Sequence, residues 1–353
     1  MSGGVDSAVA AALLVREGYQ VVGMTMHLHG HADTGAAPAG RACCDTRAYH
    51  DARRVCEHIG AAHVTVDLRE PFRREVLDVF ADEYFAGRTP NPCVLCNTRL
   101  KWEHLWRRAE LAQVDAIATG HYARVETGAD GGPVLRRAAH GEKDQSYALW
   151  GIPLARLART LLPLGTLTKS EVRRLARDLE LPVAEKPESQ DICFVPDGDY
   201  ARFLAHHDPQ RAARGGGELV GPDGQVLGRH AGIAHFTLGQ RRGLGVASAR
   251  PLYVSRIEAE TGRVHLAEEA GLYHAGLLAD GLNWLAEPPA GTWECLAAIR
   301  YRDPGSPCQV RVEDGVAEVR FAEPRRAITP GQCVVFYEHD RVLGGGWIRR
   351  VLD

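Results

Sequence analysis

Six residues near the start of the chain, Ser2-Gly3-Gly4-Val5-Asp6-Ser7, have the types and spacing to hold a polyphosphate. Two adjacent glycines let the backbone approach an anion with no Cβ in the way. The helix that follows aims its first N–H groups at the same point, and its dipole favours negative charge there. Ser2 and Ser7 add hydroxyl donors, and Asp6 can hold a magnesium ion against phosphate oxygens. The segment lacks the lysine and the spacing of a Walker loop. It is therefore poorly equipped for work on a γ-phosphate and better suited to a pyrophosphate leaving group. The expected chemistry is attack at the α-phosphate of ATP, which is adenylation.

Nine cysteines form the second group. Cys93 and Cys96 make a C-x-x-C pair, and Cys193 lies far along the chain. A thiolate at a helix start is a favoured nucleophile. Cys96 reads as the first residue of a helix, so the dipole there should lower its pKa. Cys43 and Cys44 are adjacent and read as packing or loop thiols. Cys56, Cys295, Cys308 and Cys333 fall in helix or strand patterns and read as core.

The elements that must position these groups alternate through the first half. Residues 6–17, 45–59 and 96–111 read as helices, with Gly18 and Gly60 as stops. Residues 19–26, 63–68 and 114–119 read as short apolar strands. Such alternation implies a parallel, doubly wound α/β sheet. Met26 and Gly120 then end strands at the carboxyl edge, where such sheets bind ligands. The phosphate loop should itself follow a buried strand, yet it starts at Met1. A start codon placed too far downstream is preferred over a truncated chain or a misread motif. Thr168-Lys-Ser-Glu171 is a capping box. The helix it opens should reach about Glu180 and carries Arg173, Arg174 and Arg177. After about Leu204 the texture becomes all-β. Gly215, Gly216 and Gly217 read as a linker, and a break near residues 278–289 divides two β modules. The expected parts are 1–204 with a helical portion around 150–185, then 205–277 and 278–353.

The 353 residues carry a formal net charge of −3, so total charge announces no nucleic acid. No stretch approaches the roughly 20 apolar residues of a membrane helix, and no signal peptide is seen. A cytoplasmic protein without a membrane partner is expected, with reduced thiols.

The loop of residues 2–7 resembles the signature of the pyrophosphatase-loop ATP-hydrolase superfamily. Further stretches narrow the resemblance: Gly87-Arg-Thr-Pro-Asn-Pro-Cys-Val-Leu-Cys-Asn97, Ala118-Thr-Gly-His-Tyr-Ala-Arg124, Lys143-Asp-Gln-Ser-Tyr147, Asp191-Ile-Cys-Phe194 and Phe236-Thr-Leu-Gly-Gln-Arg-Arg-Gly243. With Ile299-Arg-Tyr-Arg302 and Pro330-Gly-Gln332, they are similar in order and spacing to bacterial tRNA-uridine 2-sulfurtransferases. The resemblance spans nearly the whole chain. It implies an ATP domain, a small central β domain and a C-terminal β-barrel. It also implies a reaction: ATP adenylates O2 of the wobble uridine at position 34, and a cysteine persulfide delivers sulfur to C2 as AMP leaves.

The resemblance assigns residues as well. Cys96 matches the nucleophile and Cys193 the persulfide carrier. Ser2, Gly3, Gly4, Val5, Asp6 and Ser7 match the phosphate site, and Met26 and Gly120 line the adenine pocket. Asn91, Pro92 and Cys93 match the loop that cradles the flipped base, with His121 nearby. Lys143, Asp144 and Gln145 match a tRNA-contact loop; Arg300, Tyr301 and Gln332 match contacts from the barrel. Arg241 and Arg242 are candidates for backbone contact. The implied partners are tRNAs for Lys, Glu and Gln and a persulfide donor, a cysteine desulfurase or relay protein. Many family members carry Asp where this chain has Cys93. Two readings of that departure stay open. In one a thiol substitutes within the same mechanism. In the other Cys93, Cys96 and Cys193 ligate a 4Fe–4S cluster with one open iron. Rival functions are a thiolase for another base, a nitrogen-nucleophile ligase of the GMP or argininosuccinate synthetase kind, and a non-catalytic RNA binder with a relict loop.

Overall fold

The first helix, α1 (Val5–Arg16), is rich in alanine and buries Val5, Ala8, Val9, Ala10, Ala11, Ala12 and Leu14. A helix apolar on nearly every side belongs inside a protein. The computed structural model to which it belongs describes residues 1–35, 46–188, 192–213 and 216–353. Cys43, Cys44, Asp45, Asp191 and Gly215 lie outside the described residues.

Around α1 stand two parallel strand pairs. Strand β1 (Val22–His27) pairs with β2 (Ala62–Asp67) across the helix α2 (Thr46–His58). Strand β3 (Ile117–Ala118) pairs with β6 (Thr160–Leu161). This is the expected parallel α/β layer, but the pairs are not bonded to one another. The loop of residues 2–7 runs between them. Met1 bonds to the Met24 carbonyl on β1, and Thr25 Oγ1 donates to the Met1 carbonyl at 3.0 Å. β3 is shorter than expected: only Ile117 and Ala118 stand in register with β6, and Thr119 N adds a bond to the Leu161 carbonyl at 3.1 Å.

Two helical runs were under-read: α3, residues 69–85, and α4, residues 92–111. Each contains a π-helical stretch, Arg73–Leu77 and Cys96–Leu105. Such stretches are rare and cluster at functional sites. Between β3 and β6 the hairpin β4 (Ala123–Thr127) and β5 (Pro133–Arg137) also escaped the pattern. Helix α5 (Lys169–Asp178) opens at Thr168 as expected, and α6 (Tyr200–His207) follows.

The second half is β, as its turn-rich texture implied. Strands β7 (Gly217–Val220), β8 (Val226–His230), β9 (Tyr253–Glu258) and β10 (Arg263–Ala267) form one sheet over Leu219, Phe236, Val254 and Val264. Gly217 is thus a strand residue rather than linker. Six strands follow: β11 (Tyr273–Trp284), β12 (Thr292–Ala298), β13 (Ser306–Glu313), β14 (Val316–Arg326), β15 (Cys333–Glu338) and β16 (Arg341–Leu352). Their order β11-β14-β13-β12-β15-β16 closes because β11 also pairs with β16. Closure removes the free edges except at the start of β16, ahead of its first pair with β11 at Gly344. The expected break at residues 278–289 begins inside β11. Gly281 there has φ +58°, and the β11–β16 register shifts between Asp280 and Asn283, so the glycine marks a bulge.

The β4–β5 hairpin extends the barrel sheet by pairing Arg136 with Arg341. Arg136 and Arg124 both bond Asp340, at 2.6 and 2.5 Å. Beneath them one cluster joins the two halves: Trp102, Trp106, Tyr147 and Trp150 from the first, Cys333, Val335, Tyr337 and Val342 from the barrel. Tyr147 donates its hydroxyl to the Cys333 carbonyl at 2.8 Å. Trp150→Ala should cost about 3–5 kcal/mol through the cavity it leaves. Urea titration checks this, and an unchanged midpoint would contradict a shared core.

Candidate active site

Gly3 adopts φ +67°, and a Cβ there would overlap the Ala48 carbonyl of α2. Its own carbonyl accepts from Lys186 Nζ at 3.0 Å, and the same ammonium donates to Asp51 on α2 at 2.6 Å. Ser7 Oγ donates to the Gly4 carbonyl at 3.1 Å and accepts from the Ser2 amide at 3.2 Å. The loop is thus held from below while its hydroxyls stay together.

Asp6 is the electrostatic centre. Its Oδ1 accepts from Tyr122 Oη at 2.7 Å and from Lys169 Nζ at 2.6 Å. Burial, and then the Asp6 charge, push the Tyr122 phenol well above its ordinary value, so it remains a donor. Lys169 also lies 3.1 Å from Glu188, whose other oxygen accepts from Lys143 Nζ at 2.8 Å. Hydrogen bonding from Lys143, opposed by burial and reinforced by Lys169, holds the Glu188 carboxyl below the usual range. The capping box fixes Lys169 in place: Glu171 N donates to Thr168 Oγ1 at 3.2 Å, and Thr168 N to Glu171 at 2.8 Å. A loop with no lysine of its own therefore borrows Lys169 and Lys186 from afar. Lys186, Asp51 and Glu188 had no signal in the sequence beyond their types, and Tyr122 had only its place in the stretch 118–124.

Residues 119–122 connect this loop to the thiols. A Cβ on Gly120 would fall 2.7 Å from the Asp6 carbonyl carbon and 2.8 Å from Ser7 N. Next to it His121 Nδ1 lies 2.7 Å from Thr119 Oγ1, and Nε2 lies 3.4 Å from Lys101 Nζ. Lys101 donates to Asn97 Oδ1 at 2.7 Å, and Asn97 donates to the Ala148 carbonyl at 2.9 Å. Burial, followed by the Lys101 charge, holds the His121 imidazole well below its ordinary value. The neutral ring accepts at Nε2, which puts its proton on Nδ1 toward Thr119. Lys101 is a site residue that the sequence did not single out.

The thiol helix begins earlier than expected. Asn91 is its N-cap, accepting from Val94 N at 3.3 Å, and Pro92 is its first residue. Cys96 therefore sits one turn inside, and the helix-start argument passes to Cys93, which is exposed. Cys96 and Cys193 are both half-buried and pack against one apolar cluster built on Phe72, Phe80, Leu100, Phe194 and Phe203. Met26 packs on the same cluster. The fold thus packs two thiols far apart in sequence against the same cluster. Among the described residues no three His, Cys, Asp or Glu are grouped as metal ligands, so the 4Fe–4S alternative gains no support.

The tRNA-contact candidates divide. Lys143 is on the ion-pair network above. Asp144 is spent locally, accepting from Ala138 N at 2.9 Å and Ser146 Oγ at 2.8 Å. Gln145 clamps Tyr122 by accepting from its N–H at 3.0 Å. Arg300 and Tyr301 project from the β12–β13 turn, both exposed. Asp303 shapes that turn, accepting from Ile299 N at 3.1 Å and Gly305 N at 3.0 Å. Arg241 and Arg242 are exposed on the central module. Gln332 faces the segment before Asn91. Among the described residues no helix is long and apolar enough to cross a membrane.

Two outcomes follow from this geometry. Gly120→Ala should abolish the thermal stabilisation that Mg-ATP gives, read by calorimetry, while the unliganded melting temperature falls less; retained stabilisation would contradict the close approach. The second concerns pH. His121 is neutral when folded but free to bind a proton when unfolded below about pH 6.5. The unfolded state then holds more protons, so this contribution is lost as pH falls from that value. His121→Gln should narrow the stability difference between about pH 7.5 and 5.5 measured by denaturant titration; an unchanged difference would refute the assignment.

Comparison with known proteins gives three domain families in order. Residues 1–197 match the tRNA methyl transferase HUP domain, 201–268 the tRNA methyl transferase PRC-barrel domain, and 274–348 the aminomethyltransferase β-barrel domain. Relatives called tRNA-specific 2-thiouridylase MnmA match nearly end to end. One from Geobacter metallireducens is 50% identical over 352 residues, 99% of this chain and 95% of its own length. One from Chlorobium chlorochromatii is 47% identical over 99% of this chain and 96% of its own. One from Geotalea uraniireducens is 46% identical over 100% of this chain and 94% of its own. At such identity over the whole length, the chain belongs to the tRNA-specific 2-thiouridylase family.

Proposed function

We propose that this protein converts the wobble uridine of tRNA to 2-thiouridine, using ATP to activate O2 and a cysteine persulfide to supply sulfur. The observation that carries the reading is residues 119–122. Gly120 presses on the phosphate loop, while His121 adjoins the Lys101–Asn97 pair on the helix that carries Cys93 and Cys96. A nucleotide at residues 2–7 and a base near Cys93 would share that segment.

In this reading Gly3, Gly4 and the amides of α1 bind the phosphates, Met26 and Gly120 line the adenine side, and Lys169 offsets phosphate charge. Asp6 with the Ser2 and Ser7 hydroxyls suits magnesium, which would screen the phosphates and favour in-line attack. Uridine O2 attacks the α-phosphorus, and pyrophosphate departs. The base must leave its stack to be reached, and Asn91, Pro92 and Cys93 cradle it beside neutral His121. Cys93 takes the proton-transfer position that a carboxylate holds in many family members.

The terminal sulfur of a Cys193 persulfide then attacks C2, and AMP leaves with O2. Cys96 attacks Cys193 Sγ to break the S–S bond. This frees the thiocarbonyl and leaves a Cys96–Cys193 disulfide for an external thiol to reduce. The shared apolar packing of both thiols favours this reading over a nitrogen ligase, which has no use for them. Lys143, Arg300, Tyr301 and Gln332 serve tRNA of the Lys, Glu and Gln types, and a cysteine desulfurase or relay protein reloads Cys193.

Incubation with ATP, magnesium, a persulfide source and unmodified tRNA for Lys or Glu should yield 2-thiouridine by nucleoside mass spectrometry. Cys96→Ser and Cys193→Ser should each abolish it. Product surviving in either variant would refute the two-thiol route, and no product in the parent protein, also under anaerobic conditions, would refute the function.

A further inference from the structure

The segment that carries Asn91, Pro92 and Cys93 is held at its start by the C-terminal barrel. Thr89 N donates to the Pro330 carbonyl at 3.0 Å. Gln332 Nε2 donates to the Thr89 carbonyl at 2.9 Å and to the Pro90 carbonyl at 3.2 Å. Gly331 between them adopts φ +91°, and a Cβ there would fall 2.9 Å from Thr89 O. The turn is rigid on its other side as well. Gly331 N donates to Ile348 O at 2.9 Å, and Ile348 N donates to Gln332 O at 2.8 Å. The central module touches the same segment: a Cβ on Gly87 would fall 3.0 Å from Ile257 Cγ2.

We infer that Gln332 is a positioning residue for the thiol helix, through which the placement of the barrel sets the geometry at Cys93 and Cys96. Both Nε2 protons are directed at carbonyls just ahead of the Asn91 cap, so the barrel helps fix where the helix starts. Gln332 lies 243 positions from Thr89, and the contact therefore couples the two ends of the chain directly. On this view the barrel is part of the chemical step as well as a platform for RNA. A displacement of reacting groups by about 1 Å can cost on the order of 100-fold in rate.

The inference rests on the proposed thiolation for its kinetic arm but not for its structural one. Gln332→Glu keeps size and removes both donors; Gln332→Met keeps size and removes polarity. The structural arm is amide hydrogen exchange over residues 86–95 in the full chain without RNA. Exchange there should rise in both variants while α1 and the barrel strands keep their protection. Unchanged exchange at 86–95, or a rise spread over the whole molecule, would overturn the inference. The kinetic arm is single-turnover formation of 2-thiouridine at saturating tRNA, alongside the tRNA Kd. The rate should fall about tenfold or more, with Kd changed less than about threefold, as loss of positioning requires. A weakened Kd with the rate restored at saturation would make Gln332 a tRNA contact only and overturn the inference. If the parent protein yields no 2-thiouridine, the proposed function fails, and the exchange arm still decides the clamp.

Discussion

The arrangement depends on one close approach: the backbone of Gly120 lies against the backbone of Asp6 and Ser7 with no room for a side chain. The loop of residues 2–7 and the helix that carries Cys93 and Cys96 are both referred to that contact. Tyr122, two residues on, reaches Asp6; His121, between them, reaches Lys101. Gln145 holds Tyr122 by its backbone, and Ala148 holds Asn97. A change of even a methyl group at Gly120 would move the phosphate loop relative to the thiol helix, because packed interiors transmit displacement.

How much of this the residues announced depends on the range over which each feature is determined. The turn at residues 2–7 was legible because its requirements are local: glycine where φ is positive or approach is close. The capping box at Thr168 and Glu171 was legible for the same reason. Lys186 was not, because its partners Gly3 and Asp51 lie across the chain and nothing nearby marks it. Cys96 was placed too near a helix start although Asn91-Pro92 is itself a strong start, a cap followed by proline at the first helical position. The break expected near residue 278 failed for a different reason. There Gly281, at positive φ in a curved barrel strand, makes a bulge and the strand continues. The β4–β5 hairpin is local over residues 123–137, but its junction with the barrel through Arg136 and Arg341 lies beyond any local window.

Net charge told little because cations and anions are used as pairs. Lys143, Lys169 and Arg173 gather at Glu188, Lys169 is shared with Asp6, and Lys186 joins Asp51 to the loop. These groups are partly buried, so geometry, more than surface attraction, keeps them in place. A chain of formal charge −3 can thus present several ammonium groups around one loop without a basic composition.

The cluster of Trp102, Tyr147 and Trp150 is completed by Cys333, Val335, Tyr337 and Val342, and Arg124 meets Asp340 across 216 positions. During synthesis the N-terminal part therefore emerges with the aromatic surface of Trp102, Tyr147 and Trp150 uncovered. It stays so until nearly the last strand leaves the ribosome. Contacts of such long range make folding slow and expose apolar surface to other chains meanwhile. The joint that ties the barrel to the helix of Cys93 and Cys96 thus leaves the nascent chain with apolar surface that only its last strands cover.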